Sequence, residues 1–485
     1  MNIPVYIKDI VKALQASGYE AYIVGGCVRD VLMNKEPKDW DITTNALPEE
    51  IQKVFADARY ENVFGTVLLP IRTEPEEGAS KGQLQDVVEI TTYRSEQGYS
   101  DRRHPDIVRF EKELDKDLER RDFTINALAL NPSEPDKIID LFGGEKDIKK
   151  KIIRAVGQPE DRFKEDALRM MRAVRFSSQL GFELEPKTQR GITKLAGSLK
   201  FVSGERIRDE LVKILSSDRP SEGIMLLQDC KLLQYILPEL EAGVGVKQDR
   251  HHTTSVFVHN ISSLKHCPNK EWPVRLAALF HDIAKPKTRK IIKGIATFYN
   301  HEYLGAKMTE KIMNRLKFST EDRTRVVNLV KNHMFYYNVG EVTAASVRRL
   351  IVKVGRENLK DLIDLRVADR LGSGTPKAMP YKLRHLEYML EKVQNDPVSV
   401  KMLKINGDGL MRILNIPPGP KIGAILDVLL GEVLEDPELN TEDSLEAQAR
   451  KLADMDLEEL RSRAKEMIEE KRQEEDKEIK KHYKV

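Results

Sequence analysis

The chain has 485 residues, 40% hydrophobic and 33% charged, which is too long for one ordinary core and fits three or four globular units. Its 80 Lys and Arg against 78 Asp and Glu leave a formal charge of +2, which keeps an RNA partner open because binding needs a local basic stripe rather than a basic average. No stretch approaches the roughly 18 apolar residues of a membrane span, and the opening MNIPVYIKDIVKAL holds no apolar core of signal-peptide length, so no membrane partner and a cytoplasmic location are expected. Cys27, Cys230 and Cys267 lie far apart without CxxC spacing, which argues for packed, reduced thiols.

In chain order, Ile3, Ile7, Ile10, Val11 and Leu14 recur at helical spacing before Gly18 stops the run. The apolar 21–24 reads as a strand ending in Gly25 and Gly26, and an amphipathic stretch follows, so the glycines sit on a strand-to-helix turn. Further strands are expected at 41–44, 66–71, 86–92 and 107–110, giving an α+β head over 1–150. From about 160 onward the periodicity is helical almost throughout, so an all-α body follows. Clusters of Gly, Ser, Thr and Pro near 143, 243–245 and 372–376 suggest joints, which divide the body into a helical neck at 151–240, a His-rich segment at 241–375 and helices at 376–453. The stretch 454–485 alternates Glu with Lys or Arg and reads as a charged helix or tail.

The run Val24-Gly25-Gly26-Cys27-Val28-Arg29-Asp30 places two glycines where backbone N–H groups and a helix N-terminus can meet an anion, with Arg29 able to add a phosphate contact. Alone, this is no more than a tight turn. Downstream, Asp39-Trp40-Asp41 would project both carboxylates from one face of a strand, about 7 Å apart, where they repel unless a cation such as Mg²⁺ intervenes. Two-metal phosphoryl transfer asks for a third acid on a neighbouring strand, and Glu89 in an otherwise apolar run is the candidate.

These segments, with Glu119-Arg120-Arg121-Asp122-Phe123-Thr124-Ile125-Asn126-Ala127, then 140–144, then Glu165-Asp166-Ala167-Leu168-Arg169, resemble in order the motifs of class II CCA-adding enzymes and bacterial poly(A) polymerases, over roughly 1–240. The resemblance implies a polymerase-β-like mixed sheet and template-independent addition of C, C and A to the 3′ end of tRNA from CTP and ATP. A poly(A) polymerase or a specialist for C or A alone is the nearest alternative. It implies that Asp39 and Asp41 hold Mg²⁺, and that Arg121, Asp122 and Asn126 contact the ribose and triphosphate. Asp166 and Arg169, three apart, are expected to meet on one helix face and act as a protein template. There Asp accepts from the exocyclic amine of cytosine or adenine and Arg donates to ring acceptors. Arg172 and Arg175 continue at steps of three as a basic ridge toward phosphate. Ser203-Gly204-Glu205-Arg206-Ile207-Arg208-Asp209-Glu210-Leu211 resembles the family's next helical motif. The polar 94–105 matches its mobile loop, with Arg102 and Arg103 as candidate levers.

A second constellation follows. His251, His252 and His259 precede His281-Asp282, and His301, His333 and Asp369 come later, a dense share of ten histidines. Leu279-Phe280-His281-Asp282-Ile283-Ala284-Lys285 resembles the core of HD-type phosphohydrolases, which makes 241–375 an HD domain and His259, His281, Asp282, His301, His333 and Asp369 its ligand set. Imidazoles with carboxylates suit a transition metal. A metal-free HD scaffold that only supports RNA, and a chain that is mainly an HD phosphohydrolase, are the alternatives. Ile405-Asn406-Gly407-Asp408 and Ile416-Pro417-Pro418-Gly419 resemble the C-terminal region of CCA-adding enzymes with HD modules, which implies an RNA-binding body.

Overall fold

The computed structural model describes residues 3–62, 65–73, 83–97, 107–248, 254–335, 337, 342–375, 379–393 and 396–464. His251, His252, Arg102 and Arg103 lie outside them. The chain forms two compact units, one reaching Ala242 and including Ile312–Phe318, the other Gly243–Lys311 with the described residues from Ser319 on.

The first unit opens with α1 (Val5–Ala16), β1 (Ala21–Val24), α2 (Gly26–Leu32), β2 (Asp41–Thr44), α3 (Pro48–Val54), β3 (Arg59–Asn62), β4 (Thr66–Arg72) and β5 (Leu84–Thr92). It continues through β6 (Arg94–Gln97), β7 (Ile107–Phe110), α4 (Leu114–Glu119), β8 (Leu128–Leu130), β9 (Ile138–Asp140) and α5 (Gly144–Lys150). Seven strands make a mixed sheet in the order β3-β4-β5-β2-β1-β8-β9, in which β2 and β5 run parallel and the other pairs antiparallel. Alternation decides what each face carries. Ile42 and Ile90 turn into the core formed with Ile7, Leu14, Val28 and Ile51, so Asp41, Thr43 and Glu89 turn to the other face. The polar start of 94–105 is not all loop, because Arg94–Gln97 pairs antiparallel with Ile107–Phe110.

The neck follows as a short parallel pair, β10 (Ile152–Ile153) with β11 (Glu183–Leu184), and helices α6 (Pro159–Glu165), α7 (Leu168–Leu180), α8 (Pro186–Leu195), α9 (Gly204–Leu215), α10 (Pro220–Asp229), α11 (Leu233–Ile236) and α12 (Pro238–Glu241). Met171, Val174, Leu211 and Ile214 are fully buried where α7 packs on α9.

The second unit is helical. Helices α13 (Val256–Lys265), α14 (Trp272–Phe280), α15 (Lys285–Thr288), α16 (His301–Arg315), α17 (Thr320–Asn332), α18 (Ala344–Val354) and α19 (Leu359–Gly372) include the HD segment, with one small hairpin at Lys290–Ile292 and Ile295–Thr297. Helices α13 and α19 approach closely: a side chain at Gly372 would come within 2.2 Å of Ser263 Oγ. Helices α20 (Tyr381–Lys392), α21 (Gly407–Leu414), α22 (Pro420–Glu435) and α23 (Glu442–Leu452) share a second core with α18, built on Leu386, Leu410, Ile425, Leu429 and Val433. This is the expected α+β head followed by a helical body, broken only by the short β10–β11 pair and one small hairpin.

Candidate functional site

Gly25 joins β1 to α2 at φ +88° and ψ −137°, a conformation that only glycine adopts without strain. A Cβ there would stand 3.0 Å from Arg121 Nη1 and 3.6 Å from Asp41 Oδ2, so the absence of a side chain lets a guanidinium and a carboxylate close around the bend. Gly26 is less constrained, since its Cβ would meet only the Arg29 guanidinium, from 3.5 Å. Asp41 and Glu89 are register partners on the parallel strands β2 and β5. Burial raises the pKa of Asp41, Arg121 lowers it, and the charge of Asp39 raises it again. Burial also raises Glu89, joined by the charges of Asp41, Glu61 and Asp39. Three like charges thus act on one another beside the glycine bend, and such a donor set fits a hard cation. One detail differs from the sequence expectation: β2 begins at Asp41, so Asp39 stands on the exposed bend before it while Trp40 is buried between them.

Arg121 is held by a residue the sequence reading passed over. Asp117 on α4 is fully buried and accepts from Arg121 Nη2 at 3.1 Å, from Arg120 Nη2 at 2.7 Å and from Thr43 Oγ1 at 3.3 Å. Burial opposes its ionisation, but Arg120 and Arg121 outweigh that and lower its pKa. The i, i+3 and i, i+4 spacing of Asp117 to the two arginines was the available signal. Arg121 Nε is buried with no hydrogen-bond partner among the described residues, a donor left over at the bend.

A second chain of bonds crosses from the head to the neck. Arg29 Nη1 donates to Asn126 Oδ1 at 2.6 Å, Asn126 Nδ2 to Asp122 Oδ1 at 3.2 Å, and Arg172 Nε to Asp122 Oδ2 at 2.7 Å. Asp122 is buried, which would raise its pKa, yet Arg172 and Arg169 bring it down to about 2. Arg29 is 8% exposed and also bonded to Asp30 at 2.8 Å, so its guanidinium braces this network. The guanidinium carbons of Arg29, Arg172 and Arg175 gather around the Phe176 ring at 5.3, 5.5 and 4.2 Å.

Asp166 and Arg169 depart from the expected pairing. Helix α6 ends at Glu165 and Asp166 is extended at φ −138°, so the two residues do not share one continuous helix. Asp166 instead takes a two-pronged bond from Arg206 of α9 at 2.7 and 3.2 Å and caps Leu168 N at 3.0 Å. Arg169 reaches Glu165 at 2.5 Å and the Arg120 carbonyl at 3.0 Å. The basic ridge is also not a free one: Arg172 is bonded to Asp122, and Arg175, 7% exposed, to Glu210 of α9 at 3.0 Å. Arg206 and Glu210, which the sequence left without a role, are the partners that hold Asp166 and Arg175.

In the second unit, His259 and His281 face each other through Nε2 atoms 3.0 Å apart, and His301 and His333 through Nε2 atoms 3.3 Å apart. Asp282 lies between the pairs, with Oδ2 at 3.3 Å from His259 and 3.4 Å from His281, and Oδ1 at 3.2 Å from His301 and 3.8 Å from His333. Asp369 Oδ1 adds a contact to His259 at 3.3 Å. The Nδ1 atoms of His281, His301 and His333 each meet a backbone carbonyl, at 2.8, 2.7 and 2.8 Å, which orients the Nε2 lone pairs inward. Two groups able to hold a metal ion result, His259 with His281 and Asp282, and Asp282 with His301 and His333. Inward lone pairs at these separations fit cations. Burial lowers and the carboxylates of Asp282 and Asp369 raise the pKa of His281, to about 10, so protons compete for the same atoms. Lys285 Nζ bonds Asp282 Oδ2 at 2.6 Å.

Residues 21–154 match the Poly A polymerase head domain, 181–243 the family described as the probable RNA and SrmB-binding site of polymerase A, and 268–373 the HD domain. The chain is 36% identical over 349 residues to the A-adding tRNA nucleotidyltransferase of Deinococcus radiodurans, covering 68% of this chain and 78% of that protein. It is 33% identical over 451 residues to the CCA-adding enzyme of Lactiplantibacillus plantarum, covering 92% of this chain and 96% of that one. Among solved structures, the Bacillus stearothermophilus CCA-adding enzyme in complex with CTP superposes with a TM-score of 0.69 at 26% identity, covering 93% of this chain and 98% of that chain. The chain therefore belongs to the CCA-adding enzyme and poly(A) polymerase family of nucleotidyltransferases, in a form that carries an HD domain.

Proposed function

We propose that the chain adds C, C and then A to the 3′ end of tRNA from CTP and ATP, with Mg²⁺ as cofactor. The observation that carries this reading is the opposition of Asp41 and Glu89 across parallel strands, with Asp39 beside them, at a glycine bend crowded by Arg121. Asp39 and Asp41 would hold magnesium, and Glu89 would serve as the third acid. Bound there, the metal supplies charge neutralisation for the triphosphate and acidifies the attacking hydroxyl. Gly25 and Gly26 keep the backbone open to phosphate, Arg121 presents its unpaired Nε, and Asp122 and Asn126 face the ribose, braced by Arg29, Arg172 and Arg175. Asp166 and Arg169, held by Arg206, Glu165 and the Arg120 carbonyl, read the edge of the base with the hydrogen-bonding positions those contacts leave over, and a base with the wrong groups leaves these positions unmatched. In this reading 1–150 is the nucleotidyltransferase head, 151–240 the neck that carries base recognition, 241–375 the HD domain, and 376–453 an RNA-binding body before the charged 454–485. A cytoplasmic location goes with it, and no helix among the described residues is long and apolar enough to cross a membrane.

The A-adding relative supports a second reading, a specialist for the last nucleotide. Sequencing the 3′ ends made on a tRNA lacking its terminus, with CTP alone, ATP alone and both, separates them. Two C and one A, then a stop, is the expected product. A alone on the shortest substrate, or a long A tract, would overturn it. The HD cluster further supports phosphoester hydrolysis, such as opening a 2′,3′-cyclic phosphate on a damaged RNA end, where His259, His281, Asp282, His301, His333 and Asp369 would hold a transition metal that would acidify the attacking water.

A further inference from the structure

Helix α20 carries a group of rings that neither the polymerase site nor the HD cluster uses. Leu383, Leu386 and Leu390 repeat at helical spacing and bury one stripe of α20 in the C-terminal core. At about 100° per residue the opposite stripe carries Tyr381, Arg384, His385, Tyr388 and Lys392, with Glu391 at its edge. Tyr381 is 62% exposed and Tyr388 58%. Their ring centroids stand 5.9 and 6.1 Å from that of His385, and Tyr337 closes the group from a separate segment at 5.9 Å, its hydroxyl hydrogen-bonded to His385 Nδ1. Burial and the nearby Tyr381 raise the pKa of Tyr337, so the phenol keeps its proton, and its hydrogen bond to Nδ1 orients the imidazole.

Rings held in place, open to solvent and bordered by Arg384 and Lys392, combine a stacking surface with cations for the intervening phosphates. The apolar stripe that would suit a membrane is already buried. The location matters as well. Tyr337 follows the HD residue His333 by four positions, no more than about 14 Å of extended chain. Arg366 bonds Asp369 at 2.9 Å and lies 5.9 Å over the Phe335 ring, on the same stretch.

We propose that the exposed face of α20 is a stacking platform for unpaired RNA nucleotides, which holds a single-stranded RNA end within reach of the HD cluster. The proposal rests on the reading that this chain works on RNA. A stacked base is worth on the order of tenfold in affinity. Fluorescence anisotropy of the full chain with a labelled single-stranded oligoribonucleotide, and with a duplex of equal length, tests it. Tyr381→Ala with Tyr388→Ala should weaken single-strand binding at least tenfold, while Tyr381→Phe with Tyr388→Phe stays within about twofold of the unmodified chain. Binding by the double alanine variant within twofold of the unmodified chain overturns the platform, as does equal loss on the duplex. Loss shared by the phenylalanine pair together with a lowered melting temperature overturns it too, because the effect would then be structural. Nucleotide addition by the unmodified chain to a tRNA lacking its end is measured alongside. Its failure would remove the transferase reading, while the oligonucleotide result still decides the platform.

Discussion

Gly25 shows how one position links backbone, packing and chemistry. Gly25→Ala adds backbone strain of about 1–3 kcal/mol and pushes a methyl group against Arg121 Nη1 at 3.0 Å, on a guanidinium already tied to Asp117. Single-turnover addition should fall at least tenfold, whereas Gly26→Ala should leave the melting temperature unchanged. Asp122 gives a pH signature. Its folded pKa of about 2 lies below an unfolded value of about 3.9, so its ionisation stabilises the fold by roughly 2 kcal/mol. That contribution is complete above the unfolded value and disappears as pH falls through about 2, so Asp122→Asn should flatten acid unfolding within this window. The acids at the bend were legible because strand alternation is a local rule that brings Asp41 and Glu89 to one face. Asp39 was legible as a charge but not in position: the strand spans 41–44 as expected, so Asp39 stands on the bend before it and outside the alternation that was extended to it.

Between elements, α9 holds the segment proposed to read the base. Arg206 takes both oxygens of Asp166, and Glu210 takes Arg175 in a pair less than 10% exposed on either side. Arg206→Gln should remove a charge-assisted, two-pronged bond, reduce CTP and ATP incorporation about tenfold and raise use of UTP, with Arg206→Lys recovering part of the loss. Competition assays with mixed nucleotides measure this. Neither contact could be read from spacing, because Asp166 and Arg206 are 40 residues apart. The break between α6 and α7 carries no Gly or Pro to announce it, so Asp166 and Arg169 read as one helix. The strand Leu128–Leu130 was missed for a related reason: all three residues are buried, and a short, uniformly apolar run has no period to detect.

At the scale of the molecule, the change from period 2 to helical period near residue 160 made the α+β head and helical body legible, and the structure has that architecture. The HD ligands were legible as residue types in order. That His259, His281, Asp282, His301 and His333 form two groups sharing Asp282 was not, because their convergence depends on how α13, α14, α16 and α17 pack. His281→Ala should strip tightly held metal from the second unit, as read by metal analysis, while nucleotide addition persists. The direct test of the whole account is the rate of CTP and ATP addition to a tRNA lacking its 3′ end by Asp39→Ala and Asp41→Ala variants with unchanged melting temperatures. Both should lose activity to background at any magnesium concentration. Near-native addition by either variant would contradict the assignment of these carboxylates and the transferase mechanism built on them.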